Sequence, residues 1–137
     1  EEIKLRLNCQ IALRGCQGKK GFANEFPYEA LDPYSRKKIT FDSIDDVYKV
    51  IFQCYSECIE KGFSKLGEAM YEQVLMFVNA DKILDEECQL RIKEYLFCKQ
   101  FNCPPYPSLK ETPANIVDDF TIIQEEMTQY STKGKNG

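Results

Sequence analysis

The stretch SIDDVYKVIFQCYSECIEKG, residues 43–62, decides the fold class. Ile44, Val47, Tyr48, Ile51, Tyr55, Cys58 and Ile59 recur at steps of three and four, which sets them along one side of an α-helix. Ser43 precedes the run as a capping residue, and Asp45 and Asp46 stand in the first turn, where backbone amides are unpaired and positive. Gly62 closes it, because glycine enters the left-handed conformation that ends helices at least cost. Cys54 and Cys58 are four apart and point the same way. A regular helix does not bring such a pair into disulfide geometry, so each is expected to bond elsewhere, one to a partner before the helix and one to a partner after it.

Outward from this helix, residues 2–16 place Ile3, Leu7 and Ile11 on one stripe and Cys9, Ala12 and Cys16 on its neighbour, which predicts a first helix. Residues 15–40 hold Gly15, Gly18, Gly21, Pro27 and Pro33 and keep no period. They read as a long connection, with room for a short helix near Tyr28–Leu31 and with Cys16, Phe22, Phe26, Tyr28 and Tyr34 as anchors. Downstream, a helix from Ser64 to about Asn79 carries Leu66, Met70, Val74, Phe77 and Val78 on one side, widened by Tyr71 and Leu75, so it is expected to be central and buried. Asp85 caps the next helix, which CPPYP at 103–107 must end, because proline lacks the amide donor and disfavours a helical residue before it. Thr112 caps a last helix with Pro113 at its first position, and Ile116, Phe120, Ile123, Met127 and Tyr130 form its stripe. No segment alternates as a strand does. The expectation is an all-α fold: a single disulfide-stapled domain of about five helices over residues 1–130, with 131–137 as a polar, disordered tail.

Composition narrows the function. Hydrophobic residues make up 43% and charged residues 29% of the 137, which suits a globular chain with one core. The net charge of −4 argues against a generic nucleic-acid binder, whose affinity comes from phosphate contacts, and leaves Arg36-Lys37-Lys38 as a local basic patch. No apolar run reaches the roughly 20 residues that cross a bilayer. The chain begins Glu1-Glu2-Ile3, which fits a secreted protein whose signal peptide has been removed.

The seven cysteines, Cys9, Cys16, Cys54, Cys58, Cys88, Cys98 and Cys103, fit an oxidising compartment better than a metal site, since there is no His and no Cys-x-x-Cys pair. The odd count leaves one thiol free, or available to link two chains as a dimer. Their pairing cannot be read from spacing. Phe52-Gln53-Cys54-Tyr55-Ser56-Glu57-Cys58-Ile59, the Cys88 to Cys98 spacing and the start Leu84-Asp85-Glu86 resemble the insect odorant-binding protein superfamily. The composition also resembles the divergent salivary proteins of blood-feeding insects. The first resemblance implies a secreted helical domain with interlocked disulfides and an apolar ligand pocket. The second implies an inhibitor of host haemostasis or complement. The chain departs from the odorant-binding pattern in the distance from Cys16 to Cys54, in the missing fourth cysteine and in the extra Cys103.

The absence of His removes Ser-His-Asp and Cys-His mechanisms. The acidic pairs Asp45/Asp46, Glu86/Glu87, Asp118/Asp119 and Glu125/Glu126 fall at helix starts or on polar faces, where they complement helix dipoles. No enzyme activity, cofactor or metal is expected. The favoured function is a secreted binder of an extracellular protein, contacting it through Phe22, Phe26, Tyr28, Tyr34, Arg36, Lys37, Lys38 and Tyr106. The alternative is a carrier of a small apolar ligand in a pocket lined by Met70, Tyr71, Val74, Leu75 and Phe77.

Overall fold

The structure, a computed structural model, describes residues 2–14 and 26–136. Cys16 and Phe22 lie outside the described residues. Among those described there are six helices and one small sheet: α1 (Glu2–Arg14), β1 (Tyr28–Leu31), β2 (Lys38–Phe41), α2 (Ile44–Glu60), α3 (Leu66–Val74), α4 (Ala80–Ile83), α5 (Glu86–Gln100) and α6 (Ala114–Asn136). The chain is therefore mostly helical, as expected. The last helix runs on through the stretch read as a tail.

Three sequence expectations need correction. Tyr28–Leu31 is a strand, not a short helix; it pairs antiparallel with Lys38–Phe41 in the register Tyr28↔Phe41 to Leu31↔Lys38. Four-residue strands with only Tyr28, Ala30 and Phe41 turned inward are too short for alternation to show. The helix expected over 64–79 is shorter, Leu66–Val74, and a turn follows it. It stops at Val74; Leu75 and Met76 face solvent, and Phe77 and Val78 turn back into the core. Tyr28 fixes that break by donating its hydroxyl to the Phe77 carbonyl at 2.8 Å, where a continuing helix would have used an amide. Finally, α1 is the central helix. It packs on α3, α4, α5 and α6, and Ile3 through Ile11 are buried except Lys4.

Two apolar clusters meet on α1. Ile3, Leu7 and Ile11 join the hairpin, α2, α3 and α4 around Phe41, Ile51, Met70 and Phe77. Leu5 and Cys9 join α5 and α6 around Ile92 and Ile123. Because both flanks are covered, the polar residues of α1 are buried too and must be paired. Asn8 donates to the Lys4 and Ile83 carbonyls and accepts from the Asp85 amide at 2.9 Å, which fastens the α4–α5 junction to α1. Arg6 donates to Glu126 of α6 at 2.7 Å, and Gln10 donates to the other Glu126 oxygen at 2.7 Å. Gly67 lies against that carboxylate so closely that a Cβ there would overlap it.

The caps explain the boundaries. In α2 the Ser43 side chain makes no capping bond; the Asp46 carboxylate instead accepts from the Asp42 amide at 2.9 Å. Gly62 adopts φ 71°, and the Gly62 and Phe63 amides donate to the Ile59 and Cys58 carbonyls, a Schellman closure. Asp85 caps α5 by accepting from the Cys88 amide at 3.0 Å. The far end of α5 closes with Asn102 at φ 51° and the Cys103 amide on the Cys98 carbonyl at 3.0 Å. The Thr112 hydroxyl does not cap α6; it donates to the Ser108 carbonyl in the preceding turn.

Candidate binding surface

The residues expected to form an interface divide into a root and a tip. Phe26 and Tyr28 lie 5.5 Å apart, Tyr28 stacks on Phe41 at 5.2 Å, and Phe41 stacks on Phe77 at 5.9 Å. Lys82 stands 4.7 Å over the Phe26 ring. Tyr34 tucks against the core beside Cys54, and burial, followed by the neighbouring thiol, raises its pKa. These aromatics hold the hairpin to the body: Tyr28 is buried, and Phe26 and Tyr34 are half-buried.

The turn beyond them is organised by Asp32. Its carboxylate accepts from the Tyr34 amide at 3.0 Å and the Ser35 hydroxyl at 3.1 Å, while its carbonyl accepts from the Arg36 amide at 2.9 Å. The Asp32 amide donates to the Lys37 carbonyl, closing the loop. Arg36 is forced to φ 59°, a conformation that costs a residue with a Cβ about 1–2 kcal/mol. Arg36, Lys37 and Lys38 are all exposed, and none joins an ion pair among the described residues. The hairpin thus projects three adjacent cations from an acidic protein. Tyr106, 38% exposed, belongs to another element, the segment joining α5 to α6.

Four of the five expected ligand-pocket residues lie together and one lies apart. Met70, Tyr71, Val74 and Phe77 pack into the larger core cluster, whereas Leu75 is 39% exposed beyond the end of α3. A groove of about 660 Å³ does run between α1, α5 and α6, but it is polar. Its cations already face carboxylates: Lys4 to Asp85 at 4.0 Å, Arg6 to Glu126, and Arg91 to Asp119 at 3.0 Å.

Among the described residues no disulfide is at bonding distance. Cys54 and Cys58 stand 4.2 Å apart. Gln73 bridges them, accepting from Cys54 at 3.3 Å and donating to Cys58 at 3.7 Å. Cys9 and Cys88 sit together in the smaller core cluster, and burial is the main cause that pushes each thiol up to about 12. Cys98 and Cys103 occupy the two positions that a Schellman closure brings side by side. No group of three or more His, Cys, Asp or Glu is arranged to hold a metal among the described residues, and no helix there is long and apolar enough to cross a membrane.

No protein-family model, no curated protein and no solved structure matches the chain.

Proposed function

We propose that this is a secreted, non-catalytic binding protein whose hairpin tip docks on an acidic surface of an extracellular protein. The observation that carries this is Arg36. A glycine at φ 59° would avoid the backbone cost, yet a long cation stands there, exposed and flanked by Lys37 and Lys38. Strain kept at an exposed position points to use, and a compact basic tip steers toward negative partners despite the net charge of −4. The resemblance to salivary inhibitors makes plasma the first place to look. Plasma is passed over the immobilised full chain and over Arg36→Ser/Lys37→Ser/Lys38→Ser. A retained protein that the triple variant loses is the expected result. Equal retention by both, or retention by neither, would sink the reading. Arg36→Gly separates fold from function: it is expected to gain about 1 kcal/mol of stability and to bind more weakly.

The disulfide staples belong to the same proposal. The pairs assigned are Cys9–Cys88, which share the smaller core cluster and would join α1 to α5, and Cys98–Cys103, which would lock the end of α5. Each forms by exchange with a small-molecule disulfide such as oxidised glutathione: two thiols lose two electrons and two protons, and the oxidant leaves as two thiols. Fragment masses of non-reduced protein should contain both linked peptides. Finding all four of these cysteines alkylatable without a reductant would defeat the staple assignment.

A further inference from the structure

Away from the hairpin tip, the larger core cluster holds two thiols that the proposed staples leave unused. Cys54 and Cys58 are 0% and 1% exposed on α2, about one helical turn apart. They stand 4.2 Å apart, about twice the roughly 2.05 Å of a disulfide bond. α2 runs unbroken through both positions, which keeps that gap open.

The same gap suits an ion placed between the two sulfurs. Half of 4.2 Å is about 2.1 Å, a little shorter than the roughly 2.3 Å of a four-coordinate zinc–thiolate bond. Metal–ligand bonds shorten as the number of ligands falls, so this length fits a metal held by two sulfurs in a line. The ligand set argues the same way. The chain has no His, and no third Cys, Asp or Glu completes a metal-binding group with this pair among the described residues. Zinc asks for four ligands and calcium for six or more oxygens, whereas thiolates select cuprous copper, which accepts two. We propose that Cys54 and Cys58 bind one cuprous ion, Cu(I), in linear two-sulfur coordination within the larger core cluster.

The neighbours can carry the charge that this creates. Cu(I) displaces one proton from each thiol and keeps its oxidation state, so two thiolates and a monocation leave a single negative charge. A buried charge must be hydrogen-bonded. Gln73 of α3 already donates to Cys58 at 3.7 Å. The Tyr34 hydroxyl is enclosed beside Cys54 and has no oxygen or nitrogen acceptor among the described residues. The Gln73 oxygen now accepts the Cys54 proton at 3.3 Å; when that proton leaves, Tyr34 becomes the donor to the sulfur. Burial pushes the Cys54 thiol up to about 11, so copper competes with a tightly held proton and binds better as pH rises. Tyr34 and Gln73 are themselves half-buried, which gives the ion a way in.

Anaerobic titration of the full, non-reduced chain with tetrakis(acetonitrile)copper(I), in competition with bicinchoninate, measures this binding. One ion per chain is expected, with X-ray absorption showing two sulfurs at about half the 4.2 Å separation. Cys54→Ser and Cys58→Ser should each weaken retention by more than about hundredfold. Tyr34→Phe should weaken it about tenfold with both sulfurs kept, the usual cost of losing an outer partner. A thermal melt checks that each variant folds, and the wild-type absorption spectrum needs no variant. The proposal falls if bicinchoninate strips the wild type completely at equal concentration, or if either serine variant holds copper as tightly as the wild type. It falls equally if the spectrum shows three or four sulfurs, or if peptide masses of the non-reduced chain place Cys54 or Cys58 in a disulfide.

Discussion

At the scale of single residues, the least expected feature is Glu126. It is fully buried, and two α1 donors and the bare backbone of Gly67 enclose it. Burial alone works against the Arg6 charge, but the bond to Glu126 and the nearby carboxylates outweigh it and raise the Arg6 pKa. Removing one partner of such a pair strands the other. Glu126→Leu is expected to cost about 3–5 kcal/mol, whereas Arg6→Met/Glu126→Leu should cost markedly less than the sum of the two single changes. Urea unfolding of the four proteins in the cycle measures this, and strict additivity would refute it. Nothing in the α6 stripe of Ile116, Phe120, Ile123 and Met127 announces Glu126. A buried acid beside an apolar stripe reads as an edge residue until its partner, about 120 positions earlier, is known.

At the scale of elements, end signals were the most legible part of the sequence, because they act through local geometry. Gly62 and Asp85 sit where a helix must stop and start, and they do so in the structure. The Asp85 cap makes a pH prediction. The Cys88 amide is the main cause that holds its carboxyl below 3.8, helped by Lys4 and opposed by burial. A carboxylate depressed on folding stabilises above its unfolded value and loses that contribution as pH falls through the folded one. Asp85→Asn keeps an acceptor but cannot titrate, so urea midpoints of the variant should fall less steeply than those of the wild type below pH 3.8. Parallel curves would rule this out. The hairpin was not legible, since two four-residue strands leave no periodicity and their pairing depends on Tyr28 and Phe41 meeting Phe77 from another part of the chain. The same distant contact hid the end of α3, because the apolar face from Leu66 to Val78 continues in sequence while the backbone turns away.

At the scale of the molecule, the helical class was readable from periodicity, but the centre was not. The broad apolar face at 64–79 suggested the hub, yet α1 holds that place with Arg6, Asn8 and Gln10 buried along it. Polar residues make a helix look superficial when their partners cannot be seen. The candidate surfaces divided in the same way. The basic run Arg36-Lys37-Lys38 could be found by its charge, but only the fold shows which aromatics are anchors and which remain exposed.

The position of α1 also bears on how the chain is made. Of the described helices, α1 is made before the others, and its second flank is covered by α6, the last of them in chain order. Leu5, Cys9 and Arg6 must wait for Ile123 and Glu126, more than a hundred residues later. Closing so distant a contact is slow relative to forming local turns. The hairpin, α2 and α3 can assemble on one side of α1 while its other side stays bare, so the docking of α6 comes last among these steps.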